Sequence, residues 1–231
     1  MNNLDIVKAQ VSASANVKEQ LLADEALLSK IAEAAEIVTN AYRNNKKTLF
    51  AGNGGSAADA QHLAGEFVSK FYFDRPGLPS IALTTDTSIL TAIGNDYGYD
   101  RLFSRQVEAQ GTEGDIFIGI STSGNSKNIV NALPVCRERG LFTIALTGSR
   151  PCEMDKFDLV IKVPSDETPR IQECQTLIGH IICCIVEQNI FGKKKRKPLK
   201  FRTAVSGIVY KFASVTKTYD YGQLHKITTG R

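Results

Sequence analysis

The sequence predicts a doubly wound α/β protein, in which helices cover both faces of a parallel sheet. Short apolar runs alternate along the chain with longer segments of helical periodicity. The runs are apolar at nearly every position, which is typical of parallel strands that are buried on both faces. Two of them end in loops rich in glycine or hydroxyl residues, and in such sheets ligands bind at the carboxyl ends of the strands.

The individual elements follow from the spacing of apolar residues. Residues 4–45 are predicted to be helical because Leu28, Ile31 and Ala35 recur at spacings of three and four. Asp24 is placed to cap a second helix within this segment. Strands are predicted at residues 48–51, 80–85, 116–120, 142–146 and 159–163, and further helices at 57–71, 127–139 and about 169–190.

The composition is that of an ordinary globular protein. Of 231 residues, 42% are hydrophobic and 23% are charged, which excludes a chain that is disordered throughout. No apolar run reaches the roughly 20 residues of a membrane helix, and no apolar leader opens the chain. The five cysteines form no C-x-x-C motif and are predicted to be buried thiols. We therefore expect a cytoplasmic protein without a membrane partner.

The positive charge is concentrated in one terminal segment. Residues 192–231 hold 11 Lys and Arg against one acid, whereas residues 1–191 hold 17 against 23. We expect residues 1–191 to form the folded domain and residues 192–231 to be a poorly ordered basic extension. Alternatively, the lysine run marks a frameshift in an A-rich codon tract, or the extension serves nucleic-acid binding or nuclear import. A nucleic-acid partner would depend on the extension alone, so we do not expect one.

The first chemical candidate is the loop at residues 52–56, Gly-Asn-Gly-Gly-Ser. Glycines let the backbone approach a ligand closely, and the N–H groups at the following helix start favour an anion such as phosphate. Ser56 with Asp59 also fits a capping box. The alternative is a tight strand-to-helix turn without a ligand.

The second candidate is the loop at residues 121–126, which follows another predicted strand. Four hydroxyl residues surround Gly124 and Asn125 there, namely Ser121, Thr122, Ser123 and Ser126. A single serine would be interpreted as a helix cap. Four hydroxyls in six residues instead favour binding of a phosphate monoester.

The candidates for acid–base chemistry lie on two predicted helices. His62 and Glu66 are four residues apart and share a helix face, and His180 lies two turns after Gln172. Imidazole and carboxylate groups transfer protons near neutral pH. The alternatives are an exposed helix pair for His62 and Glu66 and a core histidine for His180.

Together with residues 94–96 and 170–173, these motifs resemble the phosphoheptose isomerase family of the sugar isomerase (SIS) superfamily, over about residues 4–191. The resemblance implies a flavodoxin-like five-stranded parallel sheet and a homotetramer with active sites between subunits. It also implies an enzyme that converts sedoheptulose 7-phosphate to D-glycero-D-manno-heptose 7-phosphate through an enediol. That product supplies ADP- or GDP-heptose for bacterial surface polysaccharide.

The resemblance further implies a role for each matching residue. The expected phosphate-binding residues are Ser56, Ser121, Ser123 and Ser126. The other expected substrate-binding residues are Asn53, Gly54, Gly55, Glu66, Asn95, Asp96, Thr122 and Gln172. Glu66 and His180 would be the proton-transfer pair. The expected ligands of a Zn²⁺ ion are His62, Glu66, Gln172 and His180.

The residues of the expected zinc site raise two questions of chemistry. A carboxylate bound to zinc is a poorer base, and glutamine is an unusual zinc ligand, so the roles of Glu66 compete. Many relatives have histidine where this chain has Gln175.

The rival functions are a non-catalytic SIS adaptor, like the one that binds the bacterial replication initiator, and a sugar-phosphate sensor. The adaptors lack equivalents of Glu66 and His180, so the presence of both residues favours the enzyme.

Overall fold

The computed structural model describes residues 2–192. In that stretch the strands are β1 Thr48–Gly52, β2 Ser80–Ala82, β3 Ile116–Ile120, β4 Phe142–Thr147 and β5 Leu159–Lys162. The helices there are α1 Asn3–Ala23, α2 Glu25–Arg43, α3 Gly55–Val68, α4 Thr87–Tyr97, α5 Leu102–Gln110, α6 Lys127–Val130, α7 Ala132–Glu138 and α8 Thr168–Phe191. The predictions for residues 193–231 lie outside the described residues.

The five strands form one parallel sheet in the order β2-β1-β3-β4-β5. This is the flavodoxin-like order, so the predicted fold class is confirmed. The chain reverses its direction of winding between β1 and β3, and a crevice opens beyond the carboxyl ends of these two strands. The two loops singled out in the sequence follow β1 and β3, so the fold brings them to the same crevice.

Alternating strand residues supply two cores, one on each face of the sheet. Phe50 and Ile118 belong to the core beneath α1, α2, α3 and α8. Their neighbours Leu49 and Phe117 belong to the core beneath α5 and α7. Neighbouring residues of a strand point to opposite faces, and each strand is apolar on both sides because helices cover both.

The two N-terminal helices meet at Asp24, as predicted. Its side chain accepts a hydrogen bond from the Leu27 N–H at 3.0 Å, which caps the start of α2. The single helix predicted at 127–139 is wrong, because α6 ends at Val130 and α7 begins at Ala132. In a continuous helix the ring of Pro134 would clash with the Val130 carbonyl, which accounts for the break.

Helix α8 lies over the sheet and carries several of the predicted site residues. By length and composition it could cross a membrane, but half of its most apolar stretch is buried inside the fold, as expected of a core helix. Its buried residues include Ile171, Ile178 and Val186. α8 also packs along α3, and this contact sets the geometry of the site.

Candidate active site

The glycine loop connects β1 to α3 at the crevice. Gly54 has a positive φ of 56° and precedes the first residue of the helix. The capping box predicted for Ser56 and Asp59 is wrong, because α3 begins at Gly55 and no side chain caps it. Ser56 is therefore buried within the first turn. Asp59 instead accepts a hydrogen bond from the Thr176 hydroxyl at 2.8 Å, which joins α3 to α8.

The serine loop follows β3 and gathers its hydroxyl groups. Ser121 Oγ lies 3.0 Å from Ser126 Oγ and 3.5 Å from Ser123 Oγ. Gly124 turns the chain with a φ of 64°, and its N–H donates to Ser121 Oγ at 3.2 Å. Cys152 Sγ packs against this turn, where a β-carbon on Gly124 would lie 2.2 Å from it. Burial raises the pKa of the Cys152 thiol, so an uncharged group lies beneath the loop.

A polar hollow of about 240 Å³ opens beside the serine loop. Thr122, Ser123 and Asn125 line it on one side. The residues that follow β4, including Arg150, and the start of α8 at Thr168 line the other sides. Thr122 and Ser123 of the loop therefore border a space that is polar and open to small molecules.

Helices α3 and α8 approach each other closely along one seam. Leu63 of α3 packs directly on Gly179 of α8, since a β-carbon at that glycine would lie 2.5 Å from both Leu63 methyl carbons. One turn nearer the loops, the bond between Asp59 and Thr176 joins the same two helices. In the chain, His62 directly precedes Leu63 and His180 directly follows Gly179. The contact between Leu63 and Gly179 therefore places His62 beside His180.

Three of the predicted residues meet at the outer edge of this seam. His62 Nε2 lies 2.7 Å from His180 Nε2 and 3.4 Å from Glu66 Oε1. The three candidate ligand atoms all lie within 4.8 Å of one another, and within residues 2–192 they form a group that could hold a metal ion. His62 is exposed, and Glu66 and His180 are half-buried, so the group is open to solvent and to a ligand.

A buried ion pair holds the end of α3 that carries Glu66. Arg75 Nε donates to Glu187 Oε1 of α8 at 3.0 Å, and both side chains are almost fully buried. The guanidinium also donates to the backbone carbonyl oxygens of Glu66 and Phe67. The backbone around Glu66 is thus fixed to α8 by charge-assisted hydrogen bonds.

The structure brings Gln172 to the glycine loop, two turns from His180. Its Nε2 faces Gly55, where a β-carbon would lie 2.5 Å away. Gln175 turns toward the sheet instead and donates to the Leu146 carbonyl oxygen at the end of β4. It is therefore buried in the fold rather than aligned beside Gln172.

Asn95 and Asp96 lie on the exposed last turn of α4. Asn95 Nδ2 donates to Asp96 Oδ1 at 2.8 Å. Within residues 2–192, neither side chain is hydrogen-bonded to the glycine loop or the serine loop. The segment just beyond them does reach the glycine loop, because the Tyr99 hydroxyl donates to Asn53 Oδ1 at 2.8 Å.

Two residues at the site were not found from the sequence. Asn128, in the first turn of α6, exchanges two hydrogen bonds with the side chain of Asn53, each of 2.9 Å. Tyr99 is the second, and it is exposed. The position of Asn128, a polar residue just after the serine loop, could have indicated a role at the site. Nothing in the sequence relates Tyr99 to the glycine loop, since Asn53 lies 46 residues earlier.

Comparison with known proteins agrees with the fold. A family model described as the SIS domain matches residues 11–148. The chain is therefore an SIS-domain protein.

Similar proteins define the family within that class. The chain is 63% identical over 191 residues to the phosphoheptose isomerase of Aneurinibacillus thermoaerophilus, covering 82% of this chain and 96% of that protein. It is also 63% identical over 195 residues to phosphoheptose isomerase 2 of Campylobacter jejuni, covering 84% and 97%. The phosphoheptose isomerase GmhA structure from Neisseria gonorrhoeae matches with a TM-score of 0.75 at 41% identity, covering 81% of this chain and 100% of that one. The chain belongs to the phosphoheptose isomerase family and is an isomerase.

The seam between α3 and α8 yields a stability prediction. Gly179→Ala should lower the free energy of unfolding by about 1–3 kcal/mol, because the added methyl group collides with buried Leu63. Gly65→Ala is the matched control on α3, where a β-carbon meets open space. It should raise stability by about 0.4–1 kcal/mol. Urea denaturation at one protein concentration measures both changes, and a Gly179→Ala variant as stable as the unsubstituted protein would contradict the close approach.

Proposed function

We propose that this chain interconverts sedoheptulose 7-phosphate and D-glycero-D-manno-heptose 7-phosphate through an enediol, for the synthesis of nucleotide-activated heptose. The observation that carries the proposal is the meeting of Glu66 and His180 from two helices, in a chain whose serine loop also gathers its hydroxyl groups. A non-catalytic adaptor or sensor would need the loop but not the acid–base group. The identity to phosphoheptose isomerases also favours the enzyme.

The serine loop is proposed to bind the phosphate. The side chains of Ser121, Ser123 and Ser126 lie close enough to share one anion's oxygens. Ser56 and Thr122 would complete this end of the site. Hydroxyl donors suit a phosphate monoester, and binding this remote group holds the sugar in place while its other end reacts.

Asn53, Gly54, Gly55 and Gln172 are proposed to line the sugar. The glycines leave backbone N–H groups accessible near the start of α3. Asn95 and Asp96 remain candidates for the same role. Both are exposed on α4, and a contact with substrate would require either a movement of that helix or a neighbouring subunit.

The isomerisation requires proton transfer between neighbouring carbons. In the ketose-to-aldose direction a base removes a proton from C1, the electrons of that C–H bond form the C1–C2 double bond, and the carbonyl electrons move to the oxygen on C2, which takes up a proton to give the enediol. Return of a proton to C2 and loss of the proton from the oxygen on C1 then give the aldehyde. We assign the carbon proton to the Glu66 carboxylate and the oxygen protons to His180, which suits their chemistry near neutral pH.

Glu66→Gln tests this assignment. Turnover of sedoheptulose 7-phosphate should fall at least about 10²-fold, because an amide cannot accept the carbon proton. The KM should change little, since the serine loop is intact. Glu108→Gln, which alters an exposed carboxylate on α5, is the control and should match the unsubstituted protein. Equal turnover in Glu66→Gln would remove Glu66 from the mechanism.

Zinc is proposed as the metal of the histidine–glutamate group. Two imidazole nitrogens and a carboxylate oxygen are ordinary zinc donors, and their convergence fits a shared ion. His62, Glu66 and His180 would hold it, and the family resemblance adds Gln172. When bound, zinc would supply Lewis-acid polarisation of a substrate oxygen.

Elemental analysis of protein purified without chelator tests the metal. We expect about one zinc per chain, and large losses of zinc in His62→Ala and His180→Ala, because each removes a ligand. His225→Ala removes the remaining histidine of the sequence, which is outside the proposed ligand set, and should retain zinc. A protein that binds no zinc after incubation with the ion and removal of the excess would contradict the proposal. The same measurement on Glu66→Gln separates loss of a base from loss of metal.

We propose a homotetramer in the cytoplasm. Leu4, Val7 and Val11 form an apolar stripe along α1 that is more than half exposed. Exposed apolar stripes of this kind are commonly covered by a partner. All five cysteines lie within residues 2–192 as thiols, four of them buried, which suits a reducing compartment.

Light scattering on a sizing column tests the assembly. The unsubstituted protein should elute with four times its chain mass of 25.2 kDa. Val11→Glu should dissociate the assembly, because it places a charge in the apolar stripe. Ala9→Glu adds the same charge on the opposite side of α1 and should leave the mass unchanged. A monomeric unsubstituted protein would contradict the proposal.

A further inference from the structure

The Asn53 side chain is held in one orientation by two residues that the function has not used. Asn53 Oδ1 accepts from Asn128 Nδ2 at 2.9 Å and from the Tyr99 hydroxyl at 2.8 Å. Asn53 Nδ2 donates to Asn128 Oδ1 at 2.9 Å. If the Asn53 amide alone were to flip, it would set oxygen against oxygen and nitrogen against nitrogen. In the arrangement that the structure shows, the Tyr99 hydroxyl donates, so the oxygen end of the Asn53 amide faces Tyr99.

This arrangement leaves one group of Asn53 available. A carbonyl oxygen accepts two hydrogen bonds, and both positions of Oδ1 are filled. The amide nitrogen carries two hydrogens, and only one is given to Asn128. Asn53 directly follows β1 at the crevice and is only half-buried, so a ligand in the crevice can reach this side chain. Asn53 can therefore meet a ligand as a donor.

The two supporting residues are themselves well anchored. Asn128 is buried, in the short helix that follows the serine loop. The backbone beside Tyr99 is held by Asn131 Nδ2, which donates to the Asp100 carbonyl oxygen at 3.1 Å. The contacts between Asn53 and Asn128 join residues 75 positions apart, so they link the glycine loop to the helix that follows the serine loop.

We propose that Asn128 and Tyr99 are positioning residues, which aim the free N–H of Asn53 at the substrate oxygen that gains negative charge as the enediol forms. The inference rests on the proposed isomerase function. A preorganised donor stabilises such an oxygen more in the transition state than in the ground state. Loss of the support should therefore lower kcat more than it raises KM.

Steady-state kinetics with sedoheptulose 7-phosphate tests the proposal. Tyr99→Phe removes one hydroxyl and should lower kcat several-fold. Tyr97→Phe is its matched control, because Tyr97 is about as exposed and its ring contact with Arg105 survives the change. It should leave kcat unchanged. In Asn128→Leu, the leucine side chain has nearly the same shape as asparagine but makes no hydrogen bonds. This variant should lower kcat about tenfold or more.

Competition by inorganic phosphate separates positioning from collapse of the site. If Asn128 and Tyr99 act only through Asn53, the inhibition constant for phosphate should stay within about twofold of the unsubstituted value in both variants. Equal kcat in Tyr99→Phe and Tyr97→Phe would overturn the inference. So would an Asn128→Leu variant that loses phosphate binding as strongly as turnover. An unsubstituted protein that does not turn over the sugar would overturn the proposed function together with this inference, whereas normal turnover with unaffected variants overturns this inference alone.

Discussion

The contact between α3 and α8 is the constraint on which the candidate site depends. A glycine at position 179 lets Leu63 rest directly on α8, and this brings together two histidines that are 118 residues apart in the chain. The pair formed by Arg75 and Glu187 fixes the other end of the contact and holds the backbone at Glu66. Proton-transfer groups must be positioned closely to be effective, and packing of the two helices would supply that precision to the groups proposed here.

The sheet supplies a second, independent constraint. Because β1 and β3 are neighbours at the point where the winding reverses, the loops that follow them open into one crevice. The paired amides of Asn53 and Asn128 then connect the glycine loop to α6, which follows the serine loop. The site thus has two parts with different tasks. Under the proposed function, the serine loop would offer hydroxyls to an anion, whereas the helix seam would offer groups that exchange protons.

Much of this organisation could be predicted because it is local. Buried parallel strands are apolar on both faces, and the Asp24 cap has a short sequence signature. Two predictions failed because a single residue overrode the local pattern. Pro134 breaks the helix predicted at 127–139. The turn at Gly54 lets α3 begin at Gly55, so Ser56 lies within the first turn and does not cap the helix. Periodicity could not relate His62 to His180, and their pairing was expected only through family resemblance. No pattern indicated Tyr99 or Arg75, because each acts through a contact that exists only after folding.

The central claim is that a carboxylate and an imidazole move protons on a sugar whose phosphate is held by the serine loop. Conversion of sedoheptulose 7-phosphate in deuterated water, followed by NMR of the aldose, tests it most directly. Proton transfer through an enediol exposes the migrating proton to exchange on the base, so the product should carry solvent deuterium at C2. A product with no deuterium at C2, in which the hydrogen from C1 is fully retained, would indicate a hydride shift and would contradict the account.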